Sequence, residues 1–265
     1  MRLQPLQKAR EPRQGGRRPL WLLDLDNTLY DASWRVMGEI NQRMTRYVAD
    51  HLRLPDDQAS AVRQHYWQRY GATLLGLVRH HGVDPGDFLR KTHPGPELPE
   101  FVRRVQGERR RLEQLRGERW LLTNAPQHYA CHVLELIGLK HMFARIITIE
   151  AMRLCGRLRP KPSELIMRHV IKCSGRAPSQ IIFVDDHSEN LRTAHRIGIQ
   201  TARIWASPTA SARARHSGRP LSIRRPSYVQ LQVNSLALLV RYQHRLSRKQ
   251  NSRDKSNHGS LRNDS

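Results

Sequence analysis

The chain has 265 residues, with 46 Lys and Arg against 23 Asp and Glu and a formal charge of +23. Its 38% of apolar residues can fill a sizeable core, though not along the whole length, so polar, disordered ends are expected. No stretch approaches the ~18 apolar residues of a membrane helix, and Cys131, Cys155 and Cys173 are odd in number with no pair at metal-ligand spacing, which argues against a disulfide framework and a zinc site.

From the N-terminus, residues 1–19 form a basic extension with six Lys and Arg and one acid. Arg and Gln stand where a secretory signal would have its apolar stretch. A cytoplasmic protein with no membrane partner is expected, an organelle transit peptide being the other reading of an Arg-rich start. The first predicted strand covers 20–25 and ends in acids. Residues 31–115 carry helical periodicity without a strand, and Gly82, Pro85, Pro94, Pro96 and Pro99 divide them into three or four helices. This stretch reads as an inserted helical cap.

Strands are then predicted at 119–123, 145–149, 180–184 and 200–205, with helices at 127–137, 163–173 and 189–197. Each connection is long enough for a parallel crossover, so 20–30 and 116–206 read as one α/β core with a parallel sheet covered by helices. Residues 207–265 carry twelve basic and two acidic residues, leaving the core at 28 against 20. This second extension reads as largely disordered towards its end, and a further helix within 224–240 stays open.

The chemistry gathers at strand ends. Asp24 and Asp26 close the first strand, and Asp185 and Asp186 close the fourth. Ligands of open parallel sheets bind at the carboxyl ends of strands. Singly, each acid is equally a turn residue or helix cap. Together they repel, since two charges at 4 Å interact by about 4 kcal/mol at an effective dielectric of 20, so a cation is expected among them. Magnesium suits an all-oxygen donor set. Thr123 and Asn124 after the second strand, and Lys161 and Pro162 before a helix, are donors and a helix start suited to a phosphoryl group.

Asp24-Leu-Asp-Asn-Thr-Leu-Tyr, Thr123-Asn124, Lys161-Pro162 and Val184-Asp185-Asp186 with Asn190 resemble the four ordered motifs of the haloacid dehalogenase (HAD) superfamily. The resemblance implies a Rossmann-like doubly wound core with a C1-type helical cap. It also implies Asp24 as nucleophile, Asp26 as general acid and base, and Lys161 as the charge-balancing catalytic cation. Thr123, Asn124 and Lys161 would bind phosphate. Mg2+ would be held by Asp24, the Asp26 carbonyl and Asp186, with Asp185 supporting and Asn190 orienting Lys161. Asp26, which the dehalogenase branch lacks, favours phosphatase over dehalogenase.

Asp-Asn-Thr-Leu-Tyr, the Tyr70–Leu77 stretch and His93 resemble the pyrimidine 5'-nucleotidase branch, which implies a nucleoside monophosphate as substrate. Tyr66, Trp67 and Tyr70 are candidates for stacking on a base, or for packing within the cap. Phosphatases or phosphomutases acting on sugar phosphates or phosphoglycolate share the catalytic residues. The competing reading is nucleic-acid binding through the basic ends, with Arg213, Arg215, Arg224 and Arg225 as candidate phosphate contacts.

Overall fold

Residues 18–103, 107–205 and 225–246 are described by the computed structural model of the chain. Most of both basic extensions, including Arg213, Arg215 and Arg224, lies outside them. The first strand, β1 (Leu20–Leu23), is buried at all four positions. Trp21 and Leu23 join the apolar cluster on one face of the sheet, Leu20 and Leu22 the cluster on the other. A strand apolar on both sides needs cover on both sides, as parallel sheets require.

The partners of β1 are β2 (Glu118–Leu122) and, on its other flank, β6 (Ile181–Asp185), both parallel. With β3 (Arg145–Ile147), β7 (Gln200–Ile204) and β8 (Leu231–Val233), the order is β3-β2-β1-β6-β7-β8, parallel at every step. Helix α6 (Gln127–Leu136) covers one face, and α7 (Glu164–Ser174) and α8 (Ser188–Arg196) cover the other. This is the doubly wound arrangement expected from the sequence. Between β3 and α7, β4 (Arg153–Leu154) and β5 (Arg157–Leu158) form a small antiparallel hairpin.

The stretch expected to be an extension contributes to the core. Strand β8 extends the sheet, and Leu231, Val233, Leu236 and Leu239 are buried in the same cluster as Trp21. The last two belong to α9 (Leu236–Tyr242), the helix left open by the sequence.

In the insert, α1 (Val36–Leu52), α2 (Asp56–Tyr70), α3 (Thr73–His81) and α4 (Pro85–Thr92) share a core that includes Val48, Leu77 and Phe88. Asp84 caps α4 by accepting the Asp87 N–H, and Pro85 opens it. Ile149, just after β3, packs into the same core, so the cap rests on the sheet domain. Leu98, Val102, Leu112 of α5 (Glu108–Glu113) and Leu115 pack with the sheet instead.

Two glycines fix the cap's shape. Gly71 ends α2 at φ 78°, and a side chain there would meet Pro162 at 3.1 Å. Gly76 lies under the Tyr66 ring, 2.2 Å from where a Cβ would sit. Among the described residues, no helix is long and apolar enough to cross a membrane.

Candidate active site

Strand order reverses between β1 and β6, and at such a switch point the loops diverge and leave a crevice at the carboxyl ends. Asp24 follows β1, with its amide donating to Val184 O at 2.9 Å, and Asp185 ends β6. Asp24 lines the crevice, and Asp185 is fully buried beside it. Lys161 reaches between them, with Nζ at 2.6 Å from Asp24 Oδ1 and 2.8 Å from Asp185 Oδ2. All three are buried.

The loops are tied to one another. Asn124 Oδ1 accepts the Lys161 N–H at 2.8 Å, while its Nδ2 donates to Lys161 O at 2.9 Å, a paired clasp across 37 residues. The Lys161–Pro162 peptide is cis. Thr123 Oγ1 accepts the Ala125 N–H at 3.1 Å, turning the chain sharply after β2. Asp185 Oδ1 accepts from His187 N at 2.7 Å, and Asn190 Nδ2 reaches both Asp185 oxygens, at 3.0 and 2.9 Å. Asn190 thus orients Asp185, and the hold on Lys161 comes from Asn124; this replaces the expected Asn190–Lys161 contact, because Asn190 sits in the first turn of α8, where it reaches back to the end of β6.

Asp26 is held differently. Its Oδ1 accepts from Tyr30 at 2.6 Å and Tyr129 at 2.8 Å, and the two phenols also contact each other. Asn27, next in the chain, adopts φ 58°, a left-handed turn that asparagine tolerates. Its side chain accepts the Ser33 amide and hydroxyl, fixing the exit into the cap.

Oxygens of Asp24, Asp185 and Asp186 lie within 4.8 Å of one another. Burial pushes the Asp24 carboxyl well above the usual range against the opposing pull of Lys161, and Asp185 and Asp186 push it the same way. Burial and then Asp185 raise Asp186 to about 7. Burial also raises Asp26, against its two phenolic donors. Lys161 is stabilised as an ammonium: burial opposes the charge, and Asp185 and Asp24 outweigh it. Among the described residues, Lys161 meets two of these carboxylates and Arg203 reaches only the Asp186 carbonyl, so the cluster has unmet demand for positive charge.

The crevice opens into a cavity of ≈ 850 Å³ that Asp24, Asp26, Thr123, Asn124, Lys161 and Asp186 line from the core and Trp67 and Tyr70 line from the cap. A second chamber of ≈ 490 Å³ adjoins it and shares Asp26 and Trp67. Of the candidate stacking residues, Trp67 faces the cleft at 51% exposure, edge-on to His187. Tyr66 bonds His81 and Tyr70 bonds His80, which ties both into the cap.

Residues 20–198 match the family model of the haloacid dehalogenase-like hydrolases. The chain belongs to that family. Phosphate metabolism protein 8 of Saccharomyces cerevisiae is 26% identical to this hydrolase over 200 residues, 69% of the chain and 60% of the yeast protein. The chain thus spans less than two thirds of that relative. Phosphoglycolate phosphatase 1 of Pseudomonas aeruginosa is 24% identical over 235 residues, 83% of this chain and 79% of that protein.

Two solved structures share the fold. A HAD phosphatase from Thermococcus onnurineus superposes with a TM-score of 0.56 at 16% identity, over 85% of this chain and 97% of the other. L-2-haloacid dehalogenase from Xanthobacter autotrophicus gives 0.52 at 18%, over 86% and 98%.

The sequence reading missed the grip of Tyr30 and Tyr129 on Asp26 in this hydrolase. Tyr30 stood in the first motif with no assigned task, and Tyr129 reads as one more apolar position of α6. His93, read as a motif residue, is buried, its Nδ1 within hydrogen-bond distance of Leu89 O and Thr92 Oγ1 and its ring against Tyr129.

Proposed function

We propose that the hydrolase removes the phosphate from small phosphomonoesters through a transient aspartyl-phosphate on Asp24. The observation that carries this reading is the buried Asp24 carboxylate at the floor of the cleft, with Lys161 against it and Asp26 one residue beyond its neighbour in the chain. Asp24 attacks phosphorus, a P–O bond forms, and the bond to the leaving oxygen breaks. Asp26 donates its proton to that oxygen, then takes a proton from the water that attacks the phosphorus and frees Asp24. Burial keeps Asp26 protonated to higher pH, and the two phenols orient it and limit the rise.

Lys161 balances Asp24 and the phosphoryl oxygens, held in place by Asn124. Thr123 and the Asn124 amide are the further phosphate donors. The donor set fits magnesium: three carboxylates within mutual reach, all hard oxygen, with too little positive charge among them. Asp24 and Asp186 would hold the ion, with the Asp26 carbonyl, and Asp185 would support it. When bound, it cancels charge between the carboxylate and the incoming phosphate.

A nucleoside monophosphate is the substrate class favoured by the second chamber and by Trp67, an aromatic face beside the reacting groups where a base can stack. The similarity to the Pseudomonas phosphatase supports a second reading, phosphoglycolate, which would leave that chamber unused. Assay of the purified chain against UMP, CMP, phosphoglycolate and sugar phosphates decides between them, and a preference for phosphoglycolate would discard the nucleotide. Asp24→Asn should reduce turnover by about 10³-fold or more while the fold persists. EDTA should abolish activity and added magnesium restore it; full turnover in EDTA removes the ion from the scheme.

A further inference from the structure

Next to the cleft, the cap and the core hairpin line an open recess that the proposed hydrolysis does not use. It measures ≈ 680 Å³ and receives Arg79 from α3 together with Arg153, Arg157 and Arg159 from β4, β5 and the residue after β5. No acid lines it, and none of the four arginines pairs with a carboxylate among the described residues. Asp84, next to the lining residue Pro85, is engaged in capping α4. Arg159 Nε is enclosed by protein and meets no acceptor. The remaining wall is apolar: Leu75, Val78 and Pro85 from the cap, Leu158 from the hairpin.

Arg79, Arg153 and Arg157 are exposed, so water screens the positive charge they bring to this recess, while the buried Arg159 Nε without an acceptor costs about 1–3 kcal/mol. A ligand that matches both the charge and the donor must carry several oxygen acceptors and more than one negative charge. Guanidinium matches phosphate oxygens bidentately. The apolar wall calls for an organic portion beside the charges, and the bounded volume falls within the range of small-molecule sites. An extended polynucleotide would need an open basic track instead.

We infer that this recess binds an organic polyphosphate, a small molecule with two or more linked phosphates, and that the bound molecule bridges cap and core. Arg79 stands on one side and the hairpin arginines on the other, so neutralising them together holds α3 against β4 and β5. Tyr70 lines both this recess and the catalytic cleft, which connects the two sites through one side chain.

The test reads binding, and the arginine substitutions separate this recess from the catalytic cleft, whose own lining they leave unchanged. The full chain carrying Asp24→Asn, which prevents turnover, is titrated by calorimetry in 0.15 M KCl with ATP, inorganic tripolyphosphate, AMP and a single-stranded 20-mer oligonucleotide. ATP should bind saturably and raise the thermal midpoint. Arg157→Ala with Arg159→Ala should weaken that binding about tenfold or more, the loss of one to two charge-assisted contacts. Arg79→Ala, on the opposite wall, should weaken it too.

Absence of saturable ATP binding would overturn the proposal, as would ATP affinity that all three substitutions leave intact. AMP binding as tightly as ATP, and weakened equally by the arginine substitutions, would remove the requirement for linked phosphates; AMP binding that those substitutions leave intact belongs to the catalytic cleft. Tight binding of the oligonucleotide alone would make the recess part of a nucleic-acid surface. Tripolyphosphate binding as tightly as ATP would deny the organic portion its role.

Discussion

Asp24 and Asp185 lean on one ammonium, so the cation matters more to the fold than either acid. Lys161→Ala strands two buried carboxylates, and removing one partner of a buried ion pair typically costs about 3–5 kcal/mol. Urea denaturation of this variant should show a loss of that size, and an unchanged midpoint would mean the carboxylates are solvated after all. Tyr129→Phe addresses Asp26. The lost phenol favoured the ionised carboxyl, so the Asp26 pKa should rise further and the basic limb of kcat/KM move up with it. A fixed basic limb would deny Asp26 its acid role. The seven candidate residues were legible because each ends a strand or opens a helix, where a polar side chain stands out from apolar runs. Tyr129 was not, because it sits inside an apolar helix and its partner is 103 residues away.

At the level of elements, α4 ends at His93, whose burial pushes the imidazole down to about 3 from its ordinary 6.5. The unfolded chain binds a proton there below about 6.5 and the folded one does not until about 3, so stability falls as pH drops through that window. The full difference is on the order of 5 kcal/mol. His93→Gln should flatten this acid limb, measured as the urea midpoint at pH 7 and pH 4.5. An equal fall in both proteins would place the acid sensitivity elsewhere. Unbroken apolar runs of four or five residues, such as β1 and the first four positions of β6, were readable as buried strands. The two-residue β4 and β5 were not, since no periodicity exists over two residues, and Leu-Gln-Val of β8 is too short to stand out from polar surroundings.

For the molecule as a whole, net charge misleads about which residues join the core. The last described segment, 225–246, comes from a strongly basic stretch, yet Trp205 N donates to Val233 O at 2.7 Å and Leu246 is buried. Ending the chain at 206 would bare the edge of β7 and the apolar patch under α9. Such a truncation should aggregate on purification, by edge pairing and exposed apolar surface, and a monodisperse product by light scattering would contradict this. A further consequence follows from the clasp between Asn124 and Lys161. Every side chain proposed to act on the phosphate hangs from the sheet's own loops, which the clasp ties to one another. If that proposal holds, the helical lid can be exchanged for another and the same reaction kept beneath it.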